Sequence, residues 1–121
     1  MSIQRFLAAA GFALAAAATS PAFAHAKLQS SDPRAGSTLE SAPRQVRLKF
    51  NEALEPSFST IRLVGSGNQQ VALAGTKVDK ADPTVMTAPL PPLSAGAYRL
   101  QWSTMGHDGH KVKGELAFTL K

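Results

Sequence analysis

The sequence predicts an all-β fold, an antiparallel β-sandwich or a small barrel of about seven strands. Three observations carry this. Apolar and polar residues alternate in short runs, most plainly at Val46, Leu48, Phe50 and at Tyr98, Leu100, Trp102, the period of a half-buried strand. The runs are separated at regular intervals by segments containing Gly or Pro, the punctuation of a strand-rich domain. Beyond residue 24, no stretch sustains a helical period.

The elements follow in order. His25 to Ser31 is expected to be the first strand, stopped by the turn composition Asp32-Pro33-Arg34-Ala35-Gly36. Val46, Leu48 and Phe50 alternate with Arg47 and Lys49 to make the second. Phe58 to Val64 is the third, with Ile61 and Leu63 on one face. Gly65-Ser66-Gly67-Asn68 turns the chain into a returning strand, Gln69 to Leu73. Thr84 to Ala88 is a short strand that buries Met86. Tyr98 to Trp102 and Leu116 to Leu120 complete the set. In Leu93-Ser94-Ala95-Gly96-Ala97-Tyr98, a Tyr follows a turn glycine at the start of a strand. This is the pattern of a tyrosine corner, in which the hydroxyl bonds back to nearby backbone. Trp102 is expected in the core, and Met105 as packing beside the last loop.

The first 24 residues stand apart. Met1 to Arg5 carries one positive charge, Phe6 to Ala18 is apolar, and Ala22-Phe23-Ala24 has the small-x-small form of a cleavage site. This is the pattern of a secretory signal peptide; the apolar run is shorter than the roughly 20 residues that span a bilayer. Cleavage after Ala24 leaves a single domain, 25–121, exported out of the cytoplasm and not inserted in the membrane. The chain has no Cys, so no disulfide braces that domain and a packed core must hold it. With 13 basic and 8 acidic residues the net charge is +5. The basic residues are scattered, and one Trp and one Tyr offer little for base stacking, which argues against nucleic-acid binding.

The chemistry gathers in Met105-Gly106-His107-Asp108-Gly109-His110, which holds two of the three histidines. Asp108-Gly109 between two strands is a hairpin signal in its own right. In extended chain Asp108 and His110 share one side and His107 takes the other. The third histidine, His25, would become the first residue after cleavage. A terminal His chelates through its α-amine and its ring together. The amine, with an ordinary pKa near ~8, gives up its proton to a strongly binding metal. One amine, two imidazoles and one carboxylate suit Cu(II) or Ni(II) in a tetragonal site, or zinc in a tetrahedral one. Glu52, at the end of a strand, is a candidate outer acid that orients ligands. His107 is the alternative ligand. There is no Cys nucleophile and no Gly-x-Ser-x-Gly motif, so hydrolytic catalysis has no support.

Several pieces together resemble the CopC family of periplasmic copper-binding proteins. They are His25-Ala26-Lys27-Leu28, Ser31-Asp32-Pro33, Gly36-Ser37 and Phe50-Asn51-Glu52, then Leu93 to Tyr98, Trp102, Asp108-Gly109-His110 and Gly114. The resemblance implies an immunoglobulin-like Greek-key β-sandwich and a Cu(II) site. It implies His25 as amine and ring ligand, Asp108 and His110 as the other ligands, and Glu52 as the outer-sphere acid. It also implies a non-catalytic role in copper resistance and homeostasis, buffering Cu(II) or delivering it to a CopD-type membrane copper transporter. The Met-rich loop with which some members bind Cu(I) is missing here. A competing reading is a copper monooxygenase-like enzyme, since lytic polysaccharide monooxygenases also chelate copper with an N-terminal histidine.

Overall fold

The structure, a computed structural model, describes residues 26–121. The expected signal segment and His25 lie outside the described residues. Nine strands occur among them: β1 (Leu28–Asp32), β2 (Thr38–Leu39), β3 (Gln45–Phe50), β4 (Thr60–Val64), β5 (Gln70–Val71), β6 (Lys77–Val78), β7 (Val85–Pro89), β8 (Gly96–Met105) and β9 (Lys111–Leu120). They form two sheets, ordered β1-β3-β7-β6 and β2-β9-β8-β4-β5. The chain passes from one sheet to the other five times, between β1 and β2, β2 and β3, β3 and β4, β5 and β6, and β7 and β8, giving the Greek-key β-sandwich.

The alternation read in the sequence decides which residues face inward. From β3 these are Val46, Leu48 and Phe50; from β4, Ile61 and Leu63; from β8, Tyr98, Leu100 and Trp102; from β9, Leu116, Phe118 and Leu120. Met86 and Ala88 of β7 join them. Arg47, Arg62, Ala117 and Thr119, between these positions, are exposed. Two aromatic pairs lie in this core, one within a sheet and one between the sheets. Tyr98 stacks on Phe118, its partner across β8 and β9, with centroids 5.4 Å apart. Phe50 of one sheet meets Trp102 of the other edge-on, at 6.2 Å and 71°, a favoured arrangement for aromatic rings.

Each predicted strand has a counterpart with different ends: β1 starts later, at Leu28, β4 and β5 are shorter, and β8 and β9 are longer, at ten residues each. The two additional ones, β2 and β6, are two residues each, too short to show a period. β2 runs parallel to the end of β9, with Thr38 opposite Thr119 and Leu39 opposite Leu120. Phe58 differs from expectation. It lies in a 3₁₀ turn, Pro56–Phe58, and not in a strand. Pro56 fixes its own φ at the start of the turn, and the Ser59 hydroxyl donates to Glu55 O at 2.8 Å, closing it. The strand therefore begins only at Thr60. Phe58 is left 51% exposed, with Lys111 Nζ 5.8 Å from the ring centroid.

The tyrosine corner is present. Tyr98 is buried and its hydroxyl donates to Ser94 O at 2.6 Å. Tyr98→Phe removes that donor and leaves a part-buried carbonyl without it. The expected loss is about 1–2 kcal/mol of unfolding free energy, read by urea titration with the lone Trp102 as reporter; an unchanged midpoint would show the corner to be dispensable.

Candidate metal centre

Three chain segments converge at one end of the sandwich. The first is the beginning of the described chain. Ala26 is buried, and Lys27 is tied to Asn51 twice: its N–H donates to Asn51 Oδ1 at 2.7 Å, and Asn51 N–H donates to Lys27 O at 3.0 Å. Leu28 then pairs with Phe50, with a register shift before Ser30. The second segment is the run Asn51–Ser59 that leaves β3. The third is the loop 106–110 between β8 and β9. β8 and β9 pair without interruption from Gly96–Leu120 to Met105–Lys111, so the loop is held at the end of a ten-residue ladder.

The loop is a turn and not an extended segment. Gly109 has φ +80°, and its N–H donates to Gly106 O at 3.0 Å. A non-glycine residue would be strained there. The turn brings Asp108 and His110 together by a different route from simple alternation. Asp108 Oδ1 accepts from the His110 backbone N–H at 3.0 Å, and Asp108 Oδ2 is 3.8 Å from His110 Nδ1. Asp108 is largely covered, its side chain 23% exposed, while that of His110 is 63% exposed. His107 points elsewhere: its Nδ1 is 2.8 Å from Glu55 Oε1.

Glu52 faces this loop. A methyl group at Gly106 would lie 1.7 Å from Glu52 Oε1, 2.8 Å from its Cδ and 3.2 Å from Asp108 Oδ1. The carboxylates of Glu52 and Asp108 thus close on the same glycine, and only glycine leaves room for them. Glu52 Oε1 is buried and, among the described residues, has no hydrogen-bond donor. A buried carboxylate oxygen without a donor is costly, so this is a place for a cation or an N–H group. Among the described residues no three His, Asp or Glu side chains are close enough to hold a metal ion. Asp108 and His110 are adjacent, Glu52 lies behind Gly106, and His25 is outside the described residues.

The segment bearing Glu52 is fastened at its back. Phe50 N–H donates to Thr84 O at 2.8 Å and Leu54 N–H to Pro83 O at 2.9 Å. Asp82 builds the turn that presents these carbonyls. Its Oδ1 accepts from the Thr84 hydroxyl at 2.5 Å and from Thr84 N–H at 3.2 Å, and Lys49 Nζ is 3.5 Å from its Oδ2. The Thr84 hydrogen bonds, with help from Lys49, hold the Asp82 carboxyl below the usual range for aspartate. Neither the Lys27–Asn51 ties nor the packing of Glu52 on Gly106 was readable beforehand. Both join residues far apart in sequence, and their only local signal is a glycine where the turn does not need one.

With the geometry in view, comparison with known proteins is decisive. Residues 28–121 match the CopC domain model. The chain belongs to the CopC family. It is 38% identical over 113 residues to copper resistance protein C of Xanthomonas campestris pv. juglandis, covering 88% of each chain. It is 36% identical over 99 residues to the copper transport protein CutJ of Bacillus subtilis, where the match takes 81% of this chain but only 18% of that longer protein. The crystal structure of CopC from Methylosinus trichosporium superposes with a TM-score of 0.76 at 30% identity, covering 80% of this chain and 94% of the other. The relatives are named for copper resistance and copper transport, and the CopC fold is the β-sandwich described above.

Two predictions concern this CopC-family site as a structure. Gly106→Ala is expected to drive the Glu52 carboxylate out of its covered position and to displace Asp108, at a stability cost of about 1–3 kcal/mol. Paired urea titrations and backbone amide shifts at 52 and 108 would read both effects; shifts confined to 105–107 would contradict the packing described. For Asp82, the folded-state pKa is depressed, so its contribution is present above the ordinary value of 3.8 and is lost as pH falls through the folded value. The gap in urea midpoint between wild type and Asp82→Asn should therefore be open at neutral pH and close under acid conditions. A gap that does not change with pH would refute the assignment.

Proposed function

We propose that this chain binds Cu(II) through the α-amine and imidazole of His25 together with Asp108 and His110, with Glu52 as an outer acceptor. On this reading residues 1–24 are removed on export and the protein works in the periplasm. There it buffers copper against toxicity or hands it to a CopD-type membrane transporter. It acts as a carrier and not as a catalyst. Copper is its cargo.

One observation carries the reading. The described chain begins at a buried Ala26 and a doubly tied Lys27, directly beside Asn51 and hence beside Glu52. Glu52 presents a buried oxygen that lacks a donor, against the same glycine that Asp108 touches. An amine is the group that such an oxygen lacks. Residue 25 is one peptide unit away from Ala26, and when it is N-terminal it supplies that amine. The donor chemistry supports the 2+ state: nitrogen and carboxylate oxygen suit Cu(II), whereas Cu(I) prefers sulfur. The names of the relatives support copper as the metal. The longer Bacillus relative, in which a segment like this chain is part of a copper transport protein, supports hand-over to a transport partner. Among the described residues no helix is long and apolar enough to cross a membrane.

The decisive experiment is a Cu(II) titration, by chelator competition, of two forms of the protein. One begins at His25 and the other carries a single extra residue before it. The extra residue is expected to weaken binding by orders of magnitude, and Glu52→Gln to weaken it about 10- to 100-fold. Equal affinities for the two forms would remove the terminal amine, and with it this account of the site.

A further inference from the structure

The loop between β8 and β9 offers two histidines to one metal position, His107 and His110, on either side of Asp108. We propose that Glu55 is a positioning residue that sorts them. It holds His107 away from the metal, so that His110 alone of the two ligates. The inference rests on the copper reading above and adds to it the residue that decides which imidazole is used.

The contacts of Glu55 make it suited to this task. Its backbone is bonded on both sides. Its N–H donates to Met105 O at 2.8 Å, and its C=O accepts from Phe58 N–H at 3.1 Å and from the Ser59 hydroxyl at 2.8 Å. Leu54 bridges to Gly106, so Glu55 is locked to the very residues that launch the loop. Pro56 follows it and restricts the chain further. The carboxylate therefore projects from a fixed point, and it meets His107 Nδ1 at 2.8 Å. On the other side of the turn, Asp108 engages residue 110 through the His110 N–H and faces its ring nitrogen. Each histidine is thus matched to its own carboxylate, and the two carboxylates belong to different segments.

A neutral imidazole that donates Nδ1–H to a carboxylate is fixed in one tautomer. To reach the Asp108 side, His107 would have to leave a carboxylate oxygen that lies 2.8 Å from its Nδ1, a distance at which a charged acceptor attracts an imidazole N–H strongly. Without Glu55 nothing among the described contacts of His107 would oppose that rotation. The loop would then hold two competing imidazoles within three residues of each other, and copper would distribute between them.

The test uses the metal-free and the Cu(II)-loaded protein beginning at His25, as wild type, Glu55→Gln, Glu55→Ala, His107→Ala and the double variant Glu55→Ala/His107→Ala. In the metal-free protein, long-range proton–nitrogen spectra at alkaline pH report the tautomers. His107 is expected as Nδ1–H in wild type and in Glu55→Gln, whose amide oxygen still accepts, and to shift to Nε2–H in Glu55→Ala. The same tautomer in all three would overturn the proposal. With stoichiometric Cu(II), electron paramagnetic resonance is expected to give one spectrum shared by wild type and His107→Ala. Glu55→Ala should give a second species that disappears in the double variant. A changed spectrum in His107→Ala, or an affinity lowered about tenfold or more, would make His107 a ligand oriented by Glu55 and sink the sorting role. Failure of the copper reading itself has its own signature, a His110→Ala protein with an unaltered Cu(II) spectrum, and the tautomer result is independent of it.

Discussion

Everything at the candidate site depends on the unbroken pairing of β8 with β9. Ten residues of one strand face ten of the other, with Tyr98 opposite Phe118 and Trp102 opposite Gly114. Their inward side chains supply six of the fifteen residues of the buried core cluster, and a one-residue slip would turn all of them to solvent. The register is therefore fixed by burial. Because it is fixed, the loop 106–110 has only one place to be, and the turn at Gly109 has only one direction in which to bring Asp108 and His110 back. The precision of a surface loop is borrowed from the hydrophobic core.

The opposite sheet contributes in a different way. β1 and β3 carry none of the candidate ligands, but they bring two chain segments to the loop. β3 ends at Phe50, whose ring abuts Trp102 across the sandwich, and the next residues are Asn51 and Glu52. Asn51 closes two hydrogen bonds with Lys27. Thus one aromatic contact between sheets sets the height at which Glu52 meets Gly106, and the Asn51 side-chain amide holds Lys27 beside it. The turn at Asp82–Thr84 secures the same stretch from behind.

What could be read in the sequence follows from this division. Strand identity and the inward faces were legible because burial imposes a period of two, and the long β8 and β9 display it over many residues. The tyrosine corner was legible because its partners, Ser94 and Tyr98, are four residues apart. β2 and β6 were not, since two residues define no period. Phe58 is apolar and adjoins the alternating run, so it reads as strand, but the turn started by Pro56 keeps it out of β4. At the site, Asp108 and His110 were expected on one side, and they are adjacent; the reason is the turn and not an extended chain. The role of Glu55 left no local trace. It lies 52 residues from His107 in sequence, and only the pairing of the 54–55 segment with Met105 and Gly106 joins them.

The electrostatics of the site end complete the physical picture. The chain as a whole carries a net charge of +5, which disfavours a cation at long range. Over the Debye length of about 8 Å at physiological ionic strength, the overall charge counts for less than the groups close by. Three of the eight acidic residues, Glu52, Glu55 and Asp108, border this one loop. The nearby Lys111 ammonium lies over the Phe58 ring, which gives it an attractive aromatic partner. The three acids also differ in what surrounds them. Glu55 is met by an imidazole, Asp108 by a backbone N–H, and Glu52 by no donor among the described residues. Unsatisfied acceptor capacity is therefore greatest at Glu52, whose Oε1 is buried behind Gly106, and it is there that an incoming positive group gains most.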